Sequence, residues 1–202
     1  MARTLTSPLS CLHASNLLTY FSLMSAVASV AGAMHGSTAV AGVGIAGAVV
    51  ADTFDGRFAR LFRRDSERRA FGVQLDSLSD AAAFGIAPAV CLFLLVRPGD
   101  WRLEAACWLA MSLYAASAIT RLGFYNVSCD ESDGFIGLPV PVAALLVSSA
   151  LLTTVTAGYA VALLVIAAAA MIAPCRVPRP AGAGLALFLL WPLGLIVAHG
   201  IR

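Results

Sequence analysis

Seven predominantly apolar runs, at roughly 16–34, 38–62, 72–96, 103–122, 138–156, 159–173 and 182–198, take up most of this chain. A helix needs about 20 apolar residues to cross a bilayer. In hydrocarbon every backbone N–H and C=O must be satisfied within the protein, and helices do that locally. The runs therefore predict an all-α, polytopic transmembrane helical bundle of about six to eight spans, seven by direct count. Composition agrees. The chain is 60 % hydrophobic and 12 % charged over 202 residues, with mean hydropathy +0.87, which leaves no length for a sizeable soluble domain. One integral-membrane domain over 1–202 is expected, with a short polar-to-amphipathic leader at 1–14. The first run is span-length and lacks a convincing cleavage site, so it reads as a helix and not a signal peptide.

The breaks fall at 35–37, 63–69, 97–100, 130–134, 157–158 and 174–180. The stretch 138–173 is too long for one helix, and Thr156-Ala-Gly158 is its natural hairpin. Pro192 and Gly194 interrupt the final run. All thirteen basic residues are arginines. Placing the 60–71 loop in the cytoplasm puts Arg3, Arg57, Arg60, Arg63, Arg64, Arg68, Arg69, Arg121, Arg176 and Arg179 on that side. Only Arg97, Arg102 and Arg202 then fall outside. That asymmetry follows the positive-inside rule. It predicts a bacterial inner or plasma membrane protein with its polar site facing the cytoplasm.

Four carboxylates break the apolar pattern. Asp52-Thr-Phe-Asp55-Gly56-Arg-Phe-Ala59-Arg60 closes the second run, and Gly72-Val-Gln-Leu-Asp76-Ser-Leu-Ser-Asp80 opens the third. A charge in hydrocarbon costs roughly 3 to more than 10 kcal/mol, so four together require cations among them. Asp52 and Asp55 are spaced i,i+3, with Gly56 and Ala59 continuing the stripe; Gly72, Asp76 and Asp80 are spaced i,i+4,i+8. Two antiparallel helices can aim both stripes at one cavity, with the small residues leaving room for a bulky ligand. Oxygen donors without His or Cys favour Mg²⁺ or Mn²⁺, and the number of acids suits a pair of ions. The competing reading makes these acids interhelical ion pairs with Arg57 and Arg60.

Other signals read as structural. Gly42-Val-Gly44-Ile-Ala-Gly47 matches a dinucleotide fingerprint but lies inside an apolar run, where close helix packing explains it. His13, His35 and His199 stand at span ends and read as surface residues. Trp101, Trp108 and Trp191 read as interfacial anchors or packing residues. Cys11, Cys91, Cys107, Cys129 and Cys175 have neither zinc spacing nor a disulfide framework. The arginines at 63–69 read as a solvated loop, with anionic headgroups as the alternative partner.

The two acid stripes together resemble the signature of the CDP-alcohol phosphotransferase family, D-x-x-D-G-x-x-A-R followed after a spacer by G-x-x-x-D-x-x-x-D. Asp52, Asp55, Gly56, Ala59, Arg60, Gly72, Asp76 and Asp80 supply all of its residues. The eleven-residue spacer at 61–71 is longer than is usual in the family and reads as a loop extension. Asn16-Leu-Leu-Thr19 resembles the family's N-x-x-T entry to the first span, with Ser15 in place of the usual proline. Leu75-Asp-Ser-Leu-Ser-Asp80 with Phe84-Gly-Ile-Ala-Pro88, Arg121-Leu-Gly-Phe-Tyr-Asn126, and Phe135-Ile-Gly-Leu-Pro-Val-Pro141 resemble the phosphatidylserine-forming branch. In the loop at 174–180, Val177-Pro178 and Arg179 stand where that branch carries Tyr-Pro and a lysine.

The resemblance implies transfer of a phosphatidyl group from CDP-diacylglycerol to an alcohol, with release of CMP, by a membrane-embedded homodimer that uses two divalent ions and no nucleic acid. Asp52, Asp55 and Asp76 are then the metal ligands, and Asp80 is the general base that also approaches the second ion. Asn16, Thr19, Gly56, Ala59, Arg60 and Gly72 bind the nucleotide, and Arg121 with Asn126 binds the acceptor. L-serine is the favoured acceptor. Glycerol 3-phosphate, inositol phosphate, choline and ethanolamine remain open, because Arg63, Arg64, Arg68, Arg69 and Arg121 offer cations for a phosphorylated one. Two other classes also keep acids in a membrane. A small transporter scatters them at the midplane, and an inactive scaffold homologue need not keep all four.

Overall fold

The computed structural model describes residues 7–127, 135–177 and 183–202. Arg3, Cys129, the break at 130–134, Pro178 and Arg179 lie outside the described residues. Seven helices follow the seven apolar runs: α1 (Leu17–Met34), α2 (Thr38–Ala59), α3 (Ser66–Val96), α4 (Trp101–Val127), α5 (Val140–Ala150), α6 (Ala157–Ile172) and α7 (Ala183–Gly200). Two short 3₁₀ turns lead into α1. Two-residue strands β1 (Phe135–Ile136) and β2 (Arg176–Val177) pair antiparallel. The fold is all-α, as expected, and the chain is an integral membrane protein.

The expected six to eight spans are matched in part. Four helices, α1 to α4, are long and apolar enough to cross a membrane. The other three are shorter apolar helices. At 11 residues, α5 rises only about 16 Å, roughly half the hydrocarbon thickness. Its run ends early because Leu151–Thr153 leave the helix in a turn and Thr156 then caps α6, its hydroxyl accepting from the Tyr159 N–H at 3.3 Å.

The start of α3 differs too. Asp65 caps the helix by accepting from the Arg68 N–H at 2.8 Å, and Glu67 sits in the first turn, where the helix dipole favours an anion. The helix therefore begins at Ser66. Most of the expected loop extension is added helix, and only residues 60–65 form the return from α2.

Close packing falls where side chains are small. A Cβ on Gly44 would lie 2.7 Å from the Ser25 carbonyl oxygen on α1, and one on Gly32 would lie 2.6 Å from Val40 on α2. The glycine run at 42–47 thus works as a packing surface, although Gly47 meets only Ser25 Oγ, at 3.9 Å. Gly42 makes room for His199. That histidine is 1 % exposed, against the expectation of a surface residue. Its ring fills the space a Gly42 side chain would take, and Nε2 finds the Ser148 carbonyl oxygen at 3.0 Å. His35 is exposed, and half-buried His13 caps the turn before α1. Trp101 and Trp108 are 72 % and 50 % exposed, whereas Trp191 is half-buried and donates to Ser149 Oγ at 3.0 Å.

Helix α3 is not uniform. Residues Ala81–Ile86, directly after Asp80, form a π-helical segment. Pro88 has no N–H to offer the Phe84 carbonyl four residues back. The fully buried Tyr114 of α4 donates its hydroxyl to that oxygen at 2.9 Å. The bulge next to Asp80 is thereby held by a neighbouring helix.

Candidate active site

Helices α1, α2 and α3 meet at the carboxylates. Ser22 on α1 donates to the Ala48 carbonyl of α2 at 3.1 Å, and Ser79 on α3 donates to the Thr19 carbonyl of α1 at 3.2 Å. These bonds set the three helices in register. One oxygen from each of Asp52, Asp76 and Asp80 then lies within 4.8 Å of the others. Asp55, one turn past Asp52, stands beside Asp76 and accepts from the Thr19 hydroxyl at 3.2 Å. Among the described residues neither Arg57 nor Arg60 pairs with these acids; both are exposed. The ion-pair reading is therefore excluded.

Three carboxylates this close cannot all stay ionised without a cation among them. Asp76 Oδ1 is buried with no hydrogen-bond partner. An orphaned carboxylate oxygen inside an all-oxygen donor set fits a hard divalent ion. Asp80, assigned from the sequence mainly to proton transfer, is part of this close group.

The acids separate two cavities. One, of about 130 Å³, is lined by Ser15, Asn16, Thr19, Asp55, Gly56, Ala59, Arg64, Gly72, Val73 and Asp76. Five of the six residues expected to bind nucleotide are here. The sixth, Arg60, caps the end of α2 and does not line the cavity. Arg64, from the spacer, lines it instead. No motif marks Arg64, since its place depends on how the chain returns from α2. Asn16 and Thr19 are buried, at 4 % and 7 % exposure, so their polar groups turn inward.

The second cavity, of about 620 Å³, is lined by Asp52, Thr53, Asp80, Arg121, Leu122, Tyr125, Phe135, Leu138, Pro139, Pro141, Val142, Leu185, Phe188 and Trp191. Arg121 is 8 % exposed. Its guanidinium carbon lies 4.6 Å from the Tyr125 ring centroid and 5.7 Å from that of Phe135, two rings that meet edge to face and together form a cation–π corner beside it. Nε and Nη2 are buried without partners. The Phe-x-Gly-Leu-Pro stretch builds this wall. Gly137 has φ +72, and a Cβ there would lie 2.2 Å from the Met171 carbonyl oxygen, so only glycine fits. Leu138 N–H bonds the Ala170 carbonyl at 2.8 Å, and the Tyr125 hydroxyl bonds both the N–H and the C=O of Ile136. Asn126 is not part of this wall. It is exposed and accepts from Ser77 Oγ at 3.0 Å.

Clustered oxygen donors between a polar and an apolar cavity, inside a helical membrane bundle, fit a class of membrane protein that holds a metal ion where polar and apolar surfaces meet. The family described as CDP-alcohol phosphatidyltransferase matches residues 12–174. The chain is 34 % identical over 170 residues to an archaetidylserine synthase of Methanothermobacter thermautotrophicus, covering 84 % of this chain and 71 % of that one. It is 36 % identical over 105 residues to a CDP-diacylglycerol–serine O-phosphatidyltransferase of Helicobacter pylori (51 % and 42 % coverage). Over 98 residues it is 38 % identical to the Methanocaldococcus jannaschii protein of the same name (48 % and 43 %). This chain belongs to the CDP-alcohol phosphatidyltransferase family. Its matches span less than half the length of the Helicobacter and Methanocaldococcus relatives.

Proposed function

We propose that this protein transfers a phosphatidyl group from CDP-diacylglycerol to the hydroxyl of L-serine, giving phosphatidylserine and CMP. The observation that carries this reading is the position of the acid cluster between the two cavities, with Asp55 and Asp76 facing one and Asp52 and Asp80 the other. The nucleotide occupies the polar cavity, between Asn16 at the entry to α1, Thr19 of α1 and the small residues Gly56, Ala59 and Gly72. Asp52, Asp55, Asp76 and Asp80 hold a pair of divalent ions, Mg²⁺ or Mn²⁺. Bound there, these ions neutralise the diphosphate and stabilise the departing CMP.

Asp80 takes the proton from the serine hydroxyl. That oxygen bonds to the lipid-side phosphorus, the P–O bond to CMP breaks, and its electron pair leaves with CMP. Arg121 binds the serine carboxylate through the donors that have no partner within the protein, a bidentate pairing suited to a guanidinium. Serine is favoured over a phosphorylated acceptor because Arg121 is the one cation among the described residues lining that cavity. The names of the relatives, serine O-phosphatidyltransferase and archaetidylserine synthase, agree on that acceptor. We place the site on the cytoplasmic face, on the arginine asymmetry, and take the protein to act as a homodimer by family resemblance.

The test is to incubate membranes containing the protein with CDP-diacylglycerol and labelled L-serine, glycerol 3-phosphate, inositol phosphate, choline or ethanolamine. Label from serine enters lipid with stoichiometric release of CMP. Label from another acceptor alone keeps the chemistry and discards serine.

A further inference from the structure

We infer that Arg64 grips the phosphate of the cytidine nucleotide and that Gly72 is the berth for its guanidinium. This rests on the phosphatidyl-transfer reading. The polar cavity has Asp55 and Asp76 in its wall, so a phosphate bound there needs cationic partners, the proposed metal ions and any protein cation within reach. Among the described residues that line it, Arg64 is the one cation. Arg60, the arginine of the signature, is turned away and exposed.

The chain path explains the exchange. Asp65 caps α3, which fixes Arg64 as the residue just before the cap. From Ser66 to Gly72 the helix rises about 9 Å, and the long Arg64 side chain extends toward Gly72. A Cβ on residue 72 would lie 3.2 Å from Arg64 Nη1 and 3.5 Å from Asn16 Oδ1. Glycine at 72 thus leaves the guanidinium its place beside Asn16, at the nucleotide's side of the acids.

A guanidinium on a phosphate makes charge-assisted, paired hydrogen bonds, so its loss is readable in affinity. The experiment uses the full chain, purified with Mg²⁺, with CMP affinity measured by calorimetry and KM measured for CDP-diacylglycerol and serine. Arg64→Ala weakens CMP binding and raises the KM for CDP-diacylglycerol by about 10- to 100-fold, with the KM for serine unchanged. Arg64→Lys restores part of the loss. Gly72→Ala shifts the same constants in the same direction, and adding it to Arg64→Ala costs little more, the non-additivity expected of a contacting pair. Unchanged CMP affinity in Arg64→Ala overturns the phosphate role, and fully additive losses overturn the link to Gly72. If the unaltered protein neither binds CMP nor releases it from CDP-diacylglycerol with any acceptor, the transfer reading fails instead.

Discussion

The two cavities beside the acid cluster are built in opposite ways. The polar one takes residues from α1, the end of α2 and the start of α3, adjoining segments of the chain. The apolar one gathers residues from α2, α3, α4, β1, the turn into α5, and α7. One is small and lined largely by glycine, alanine and short polar groups; the other is several times larger and holds a single buried guanidinium set against two aromatic rings. On the proposed reading, neighbouring helix segments are enough to make the nucleotide pocket, whereas the site proposed to admit both a polar acceptor and lipid takes walls from across the bundle.

The largest effect expected tests what the cavities share. Chelation, or Asp76→Asn, abolishes transfer from both sides, and Mg²⁺ or Mn²⁺ restores only the chelated protein. Activity surviving exhaustive chelation would break the metal-centred comparison at its root. Next comes Asp80→Asn. An amide cannot accept the acceptor's proton, so kcat falls by about 10²–10⁴, while CDP-diacylglycerol binding by calorimetry changes far less than in Asp52→Asn. Equal loss of binding in the two variants would make Asp80 a metal ligand first.

A smaller effect is expected at Tyr114. Removing its hydroxyl leaves the Phe84 carbonyl without that donor. Tyr114→Phe then lowers stability by about 0.6–2 kcal/mol, read by thermal melting in detergent, and reduces kcat less than the Asp80 change does. A loss as deep as that of Asp80→Asn would mean that the π segment itself is part of the chemistry.

How much of this was legible in the sequence follows the same division. Asp52, Asp55, Asp76 and Asp80 were readable because i,i+3 and i,i+4 spacing is local, and a helix turns that spacing into a shared face. Gly56, Ala59 and Gly72 came with it, and Asn16 and Thr19 came from the family resemblance. Arg60 and Arg64 were not separable, because a capping contact at Asp65 decides which arginine turns inward. The early start of α3 was in principle readable from Asp65 and Glu67, but the density of charge at 63–69 made a loop the natural reading. His199 was missed because its burial depends on Gly42, far away in sequence. The short lengths of α5 and α6 were not legible because hydropathy registers apolar character and not where a turn such as 151–153 interrupts it. Arg121 was found by resemblance; its stacking on Tyr125 and Phe135 is visible only once β1 is folded against α4.

The central claim is that the acid cluster divides a nucleotide side from an acceptor side. It is tested most directly by steady-state kinetics of purified Asn16→Ala and Arg121→Lys, with CDP-diacylglycerol and serine each varied at saturating levels of the other. The account predicts a crossed pattern: Asn16→Ala raises the KM for CDP-diacylglycerol alone, and Arg121→Lys raises the KM for serine alone. If either variant shifts both constants to the same extent, the division between the two cavities is contradicted.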